Sequence, residues 1–277
     1  MTAAQRNLYF KGAVLVSACC LAALVFWGGR LAPFYAELQA EALHRSPGLL
    51  QALAARFAAP SAPVPLVSVM VSVVYALAAS ALVLYFFEKT LSPEILFFDL
   101  FALSFVFETI RIMPPLGQIY PFPSVLLILG GRLLIFGRFF GVLSLFASSV
   151  YAAGLDMQKQ GQVIIAMIIA ILVVVLRVPV NSQSWDSTLT MLSAYSSMFR
   201  FAEDALMGIT VVSFLVAARV RGTGDYVFIA LGAFLAFVGR ALLIGADTWI
   251  ALAPGAVFLA GGTWFITVRL HRVYLWL

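Results

Sequence analysis

Eight runs of this sequence are apolar for about the twenty residues that cross a bilayer, and that feature alone removes most folds. They are 10–30, 65–87, 94–113, 122–153, 162–178, 191–218, 226–246 and 254–270. In lipid every backbone polar group must bond within the protein, so a spanning chain is helical or a closed barrel. Runs this long lack the short alternating segments of barrel strands. The expected fold is therefore all-α, a polytopic transmembrane helical bundle of about eight spans. Composition agrees: 63% of the 277 residues are hydrophobic and 10% charged, with a mean hydropathy of +1.04, where soluble domains carry roughly 25% charged residues.

The chain reads as a single integral membrane domain, with 10–30 as an anchor span, 31–64 as an external amphipathic segment and 65–277 as a seven-helix bundle. Arg6 and Lys11 before Val16-Ser17-Ala18-Cys19 resemble a signal peptide, but Leu21 to Trp27 stays apolar, so an uncleaved span is expected. Between Phe34 and Pro60, Glu37, Glu41, His44 and Arg45 alternate with leucines. Pro47-Gly48 would split that stretch into two amphipathic surface helices. Ser92-Pro93-Glu94 predicts an N-cap and first turn for the third span. Pro114-Pro115 is expected to end that span, Pro179 the fifth, and Pro254-Gly255 to turn the chain between the last two.

Basic residues set an orientation. With the amino terminus cytoplasmic, Arg6, Lys11, Lys89, Lys159, Arg219, Arg221, Arg269 and Arg272 share one side; Arg30, Arg45, Arg56, Arg111 and Arg177 share the other. All three lysines lie in the first group, which places both termini inside. The excess of positive charge thus reflects topology. No basic patch with interleaved aromatics exists, so nucleic acid is not an expected partner. Tyr85, Tyr120, Tyr151, Trp185, Trp249, Trp264 and Trp276, near span ends, are expected as interface anchors against membrane lipid.

Charges inside the spans carry the functional information, because a charge at mid-membrane costs about 3 kcal/mol or more and must face a partner, water or a ligand. Counted from one end of their helices, Glu108 is 14 residues from Glu94, Arg138 16 from Gly154, Glu203 15 from Ala218 and Arg240 15 from Asp225. At about 1.5 Å per residue all four lie roughly 21 to 24 Å along the bundle. Arg111, Arg200 and Asp247 share helical faces with members of that set, and Asp204 and Arg132 add one charge of each sign. These nine residues form an expected layer in the outer half of the bundle. It suits an ion-pair network that locks helices, recognition of a polar or anionic ligand by arginines, or an ion pathway. Gly-Arg recurs at Gly29-Arg30, Gly131-Arg132, Gly137-Arg138 and Gly239-Arg240, where a glycine would let a neighbour approach beside each arginine.

Several chemistries are excluded. No lysine lies in a span to hold a retinal Schiff base, and His44 and His271 fall outside the spans, which leaves no histidine haem or metal site in the membrane. Cys19 and Cys20 are adjacent and cannot make an ordinary disulfide with each other. No cofactor and no metal are expected, and none of the familiar hydrolase, zinc-protease or nucleotide motifs is present. Gly222-Thr223-Gly224-Asp225-Tyr226 resembles the GxGD sequence of intramembrane aspartyl proteases of the presenilin and signal-peptide-peptidase type, and Phe98-Asp99-Leu100-Phe101 is similar to their Tyr-Asp helix, with phenylalanine in place of the tyrosine. The resemblance implies Asp99 and Asp225 as a catalytic pair. Helix capping by Asp225 is the competing reading.

Without an enzyme signature beyond that one, the layer and the seven-span architecture, reminiscent of bacterial seven-helix sensor modules, give the functional expectation. The chain is read as a bacterial inner-membrane protein of receptor or accessory-subunit type that binds a small polar or lipidic ligand in its charged layer. Since the sequence stops soon after the last span, a separate cytoplasmic or membrane protein partner is expected to take any signal. A small-molecule or ion transporter is the alternative, and the aspartyl protease a second.

Overall fold

A computed structural model describes residues 3–44, 57, 60–61, 63–87, 92–155 and 159–275. The helices are α1 (Ala3–His44), α2 (Pro63–Phe87), α3 (Pro93–Leu103), α4 (Met113–Ile119), α5 (Ser124–Ala152), α6 (Gln160–Arg177), α7 (Ser196–Arg221), α8 (Asp225–Ile244) and α9 (Trp249–Leu275). A 3-10 helix over Ser104–Ile112 joins α3 to α4, and an antiparallel hairpin, β1 (Val180–Trp185) and β2 (Met191–Ser193), joins α6 to α7. Among the described residues seven helices are long and apolar enough to cross a membrane. Residues 45–56, which hold the expected Pro47-Gly48 break, and Lys89 and Trp276 lie outside the described residues; helix α1 runs on to His44.

The third expected span, 94–113, is helical but changes pitch along its length, and it is not among those seven. Ser92 caps its start, accepting from the Ile95 nitrogen at 3.4 Å, with Pro93 in the first turn. The α-helix then tightens at Ser104. Pro114-Pro115 does not end the span as expected. Proline is tolerated in the first turn of a helix, and here the pair opens α4, which carries the chain to Ile119. A 3-10 helix rises about 2.0 Å per residue, so nine residues span roughly 18 Å rather than about 14 Å. The stretch brings Glu108 to about 24 Å from the start of the span, level with Arg138.

The turn between the last two spans is also displaced from its expected place. Helix α8 ends at Ile244, Thr248 caps α9 by accepting from the Ala251 nitrogen at 3.3 Å, and Pro254 lies inside α9. Gly255 is a packing position: a Cβ there would sit 2.9 Å from the Leu243 nitrogen, and one at Gly262 2.5 Å from the Ala236 nitrogen. Helices α8 and α9 therefore meet backbone to backbone, as small residues allow in membranes.

The core runs through the middle of the bundle, with Phe87, Phe98, Phe101, Phe105, Phe214 and Phe237 buried in one cluster. Phe101 and Phe105 meet edge to face at 5.5 Å, a favourable aromatic geometry. The expected anchor span is packed onto the bundle, since Leu24 and Leu31 of α1 join Val69 and Val73 of α2 and Ile112 and Leu116 of the third span. Two buried serines of α2 are satisfied by carbonyls: Ser72 donates to the Ser68 carbonyl at 2.8 Å, and Ser68 donates to the Leu243 carbonyl of α8.

Candidate functional site: a charged cavity under the hairpin

Glycines on α5 bring the site together. Gly137 and Gly141 leave a strip against which the 3-10 helix lies, where added Cβ atoms would strike Phe107 and Ser104. Arg138, beside Gly137, then meets Glu108 in a two-pronged contact, Nε to Oε1 at 2.9 Å and Nη2 to Oε2 at 3.0 Å. Such side-on forks are the strong form of the arginine–carboxylate bond. Residues three apart eclipse in a 3-10 helix, which stacks Arg111 over Glu108, Nη1 to Oε2 at 3.4 Å. Glu108 is 2% exposed and Arg111 fully buried.

A second pair continues the layer. Arg240 of α8, also buried, reaches Glu203 of α7 at 3.5 Å and donates to the Arg138 carbonyl at 2.8 Å. The expectation that a helix approaches at each Gly-Arg holds at Gly239, which lies against the α9 backbone, and at Gly137 against the 3-10 helix; Gly131 meets Val180 and Met191 of the hairpin instead, and Gly29 has nothing within 4 Å.

Over this layer sits the hairpin, which the sequence reading did not foresee. Asp186 accepts at one oxygen from the Thr188 nitrogen (3.0 Å), the Thr188 hydroxyl (2.7 Å) and the Thr190 nitrogen (2.9 Å), closing the turn. That leaves the Thr188 carbonyl pointing inward, where it accepts from Arg111 Nε at 2.8 Å and from Nη2, and the Thr190 hydroxyl accepts from Arg138 at 3.2 Å. Leu189 is held at φ 61°, a left-handed conformation that costs a non-glycine residue energy. Its side chain is buried in the cluster of α1, α2 and α4, which anchors the tip.

Between α5, α7, α8 and the hairpin lies a cavity of about 550 Å³, within the range of small-molecule sites. Arg138, Arg200, Glu203, Asp204, Arg240 and Asp247 line it, joined by Asp186. Leu134, Ile135, Phe139 and Phe199 form an apolar wall, the two rings edge to face at 5.3 Å. No family model, curated protein or solved structure matches this chain. The site therefore has to be read from its own chemistry.

Of the nine layer residues, six line the cavity and two, Glu108 and Arg111, stand behind its wall. Arg132 is apart from both, half-buried on α5 with an Nε that has no hydrogen-bond partner among the described residues. The hairpin residues Asp186, Thr188 and Thr190 were missed. Their signal was available: Asp, Ser and Thr crowded beside an expected membrane mouth make a turn that bonds its own backbone.

The opposite end of the bundle carries a second polar cluster, also missed because Glu94 was read only as a first-turn acid. Glu94 is fully buried and accepts from Arg221 at 3.2 Å and from the Tyr226 hydroxyl at 3.3 Å. Arg221 also donates to the Ala152 carbonyl at 2.8 Å, so α3, α5, α7 and α8 are tied at one point. Asp225 pairs with Arg269 of α9 at 3.0 Å. Asp99 is buried, with the Ser80 hydroxyl as a polar neighbour. The two aspartates of the protease resemblance thus have different surroundings, one exposed enough to pair with an arginine and one enclosed.

Proposed function

We propose that the protein is a membrane receptor or accessory subunit that binds a small polar or lipidic ligand in the cavity beneath the hairpin. The observation that carries this reading is the cavity itself, which collects three arginines and four acids deep in an otherwise apolar bundle. Charges within the spanning part of a membrane bundle are retained where they pair or recognise something. The Glu108–Arg138 fork serves the first purpose; Arg200 and Asp204, exposed in the cavity wall and in no ion pair among the described residues, are left for the second. We place the hairpin on the extracytoplasmic side, following the lysine distribution, so the ligand would arrive from outside or from the outer leaflet. The output would go to a separate membrane or cytoplasmic protein.

The test is a cavity-filling variant. Ala241 lines the cavity and is solvent-exposed, so Ala241→Phe should fold normally while removing space. Small molecules and lipids extracted from purified wild-type protein should include a species missing from Ala241→Phe. Identical extracts from the two would overturn the reading.

One observation favours a transporter as the second reading. The third span tightens into a 3-10 helix where it presents Glu108 and Arg111, and departures from α-helix are a feature of transporter binding sites. The Glu94 cluster would then be a closure at the far end. Uptake of the extracted species into proteoliposomes, faster in Arg221→Met, would favour transport over reception.

A further inference from the structure

The fixed charges around the cavity are unequally committed, and sorting them identifies what the ligand must carry. Arg138 spends Nε and Nη2 on Glu108 and Thr190. Arg240 spends Nη2 on the Arg138 carbonyl and Nη1, at 3.5 Å, on Glu203. Asp186 is occupied by its own turn, and Asp247 accepts from the Ser187 hydroxyl at 3.3 Å. Two lining charges remain with neither an ion pair nor a hydrogen bond among the described residues, Arg200 and Asp204.

They are of opposite sign and four residues apart on α7. Positions i and i+4 share a helical face with Cβ atoms about 5 to 6 Å apart, the spacing at which such residues normally pair with each other. These do not. Both residues are exposed, at the edge of a cavity that Leu134, Ile135, Phe139 and Phe199 wall on its apolar side. The layer as a whole is nearly neutral: with Glu108 and Arg111 behind the wall it holds four arginines and five acids. A bare anion would face those acids and a bare cation those arginines.

We infer that the ligand is a zwitterion whose acidic group and primary ammonium are separated by about one helical turn, the acid held by Arg200 and the ammonium by Asp204. Phosphoethanolamine has this chemistry, either as a soluble molecule or as the headgroup of a phospholipid whose chains would follow the apolar wall of Phe139 and Phe199. A guanidinium bonds phosphate through a planar fork. A carboxylate takes hydrogen bonds from a primary ammonium, which a quaternary ammonium cannot offer.

The inference rests on the cavity being the ligand site, and the test separates the two. Calorimetric titration of the purified protein would use phosphoethanolamine, phosphocholine, inorganic phosphate and ethanolamine as probes. Phosphoethanolamine should bind at least tenfold more tightly than the other three. Arg200→Gln and Asp204→Asn should each weaken it at least tenfold without changing the unfolding temperature, since both side chains are exposed. Reconstitution in nanodiscs containing phosphatidylethanolamine, against phosphatidylcholine alone, distinguishes the sources: lipid retained in native mass spectra by wild type and lost in both variants marks the headgroup, and retention of only the soluble compound marks the free molecule. Phosphate or ethanolamine binding as well as phosphoethanolamine, and lost in Ala241→Phe, would overturn the zwitterion and leave the cavity. Probes that bind wild type and Ala241→Phe alike would overturn both, and probes that bind neither protein would overturn the zwitterion.

Discussion

Glu108 is the residue on which most of the outer layer depends, because one carboxylate answers two arginines. Glu108→Gln would leave Arg138 and Arg111 without their anion in a buried setting, and breaking a buried pair in this way costs about 3 to 5 kcal/mol. Thermal unfolding in detergent should show it as the least stable single variant of the layer. Adding Arg138→Met should recover much of the loss, since the orphaned charge is the costly element. Glu203→Gln should be mild by comparison: its contact with Arg240 is 3.5 Å long and its side chain 25% exposed, so solvent screening holds the effect to about 1 kcal/mol or less. The Asp225–Arg269 pair is likewise a quarter exposed on both sides, and Asp225→Asn should unfold within about 1 kcal/mol of wild type. At this scale the sequence was informative about which residues matter and silent about their partners. Depth along a helix follows from counting, which put Glu108, Arg138, Glu203 and Arg240 in one layer. Partnering depends on rotation and approach, and Arg132, about 9 Å further along α5 than Arg138, ends up outside the group.

Helices approach one another here through glycine, and neighbouring glycines of α9 make the point measurable. A Cβ at Gly262 would collide with the α8 backbone near Ala236, whereas one at Gly261 meets nothing within 4 Å. Gly262→Ala should therefore destabilise by about 1 to 3 kcal/mol. Gly261→Ala, adjacent in sequence, should be neutral or stabilise by up to about 1 kcal/mol. Unfolding temperatures of the two variants, ordered the other way, would contradict the packing of α8 on α9. The helices themselves were legible as apolar runs, although α1 runs on to His44, well past the expected end of the first span at 30. Two elements were not. The 3-10 segment 104–112 has the same apolar character as an α-helix and differs only in pitch, which hydropathy does not encode. The hairpin was absorbed into the start of the span expected at 191, because Met191 and Leu192 are as apolar in a strand as in a helix. Pro254-Gly255 misled for a related reason: the same pair that marks turns in water also marks close helix contact in membranes.

Among the described residues two polar clusters stand out, the layer under the hairpin and the Glu94 group, with aromatic core between them. If the hairpin faces out, as the lysines argue, membrane-impermeant maleimide should label Ser187→Cys in intact cells and Thr223→Cys only after the membrane is opened, in a background with Cys19 and Cys20 replaced by serine. Both positions are exposed. Labelling of the two from the same side would remove the spanning role of α7. The choice of point substitutions over inserted reporters follows from the hairpin's construction. Because the Thr188 carbonyl is a ligand of the buried Arg111 and Leu189 is plugged among α1, α2 and α4, the connection between α6 and α7 has a fixed length. It is an outside loop only in the sequence. An epitope tag or fusion spliced at Asp186 would withdraw a strut from the interior, and such a protein would report on its own damage rather than on which side of the membrane the loop lies.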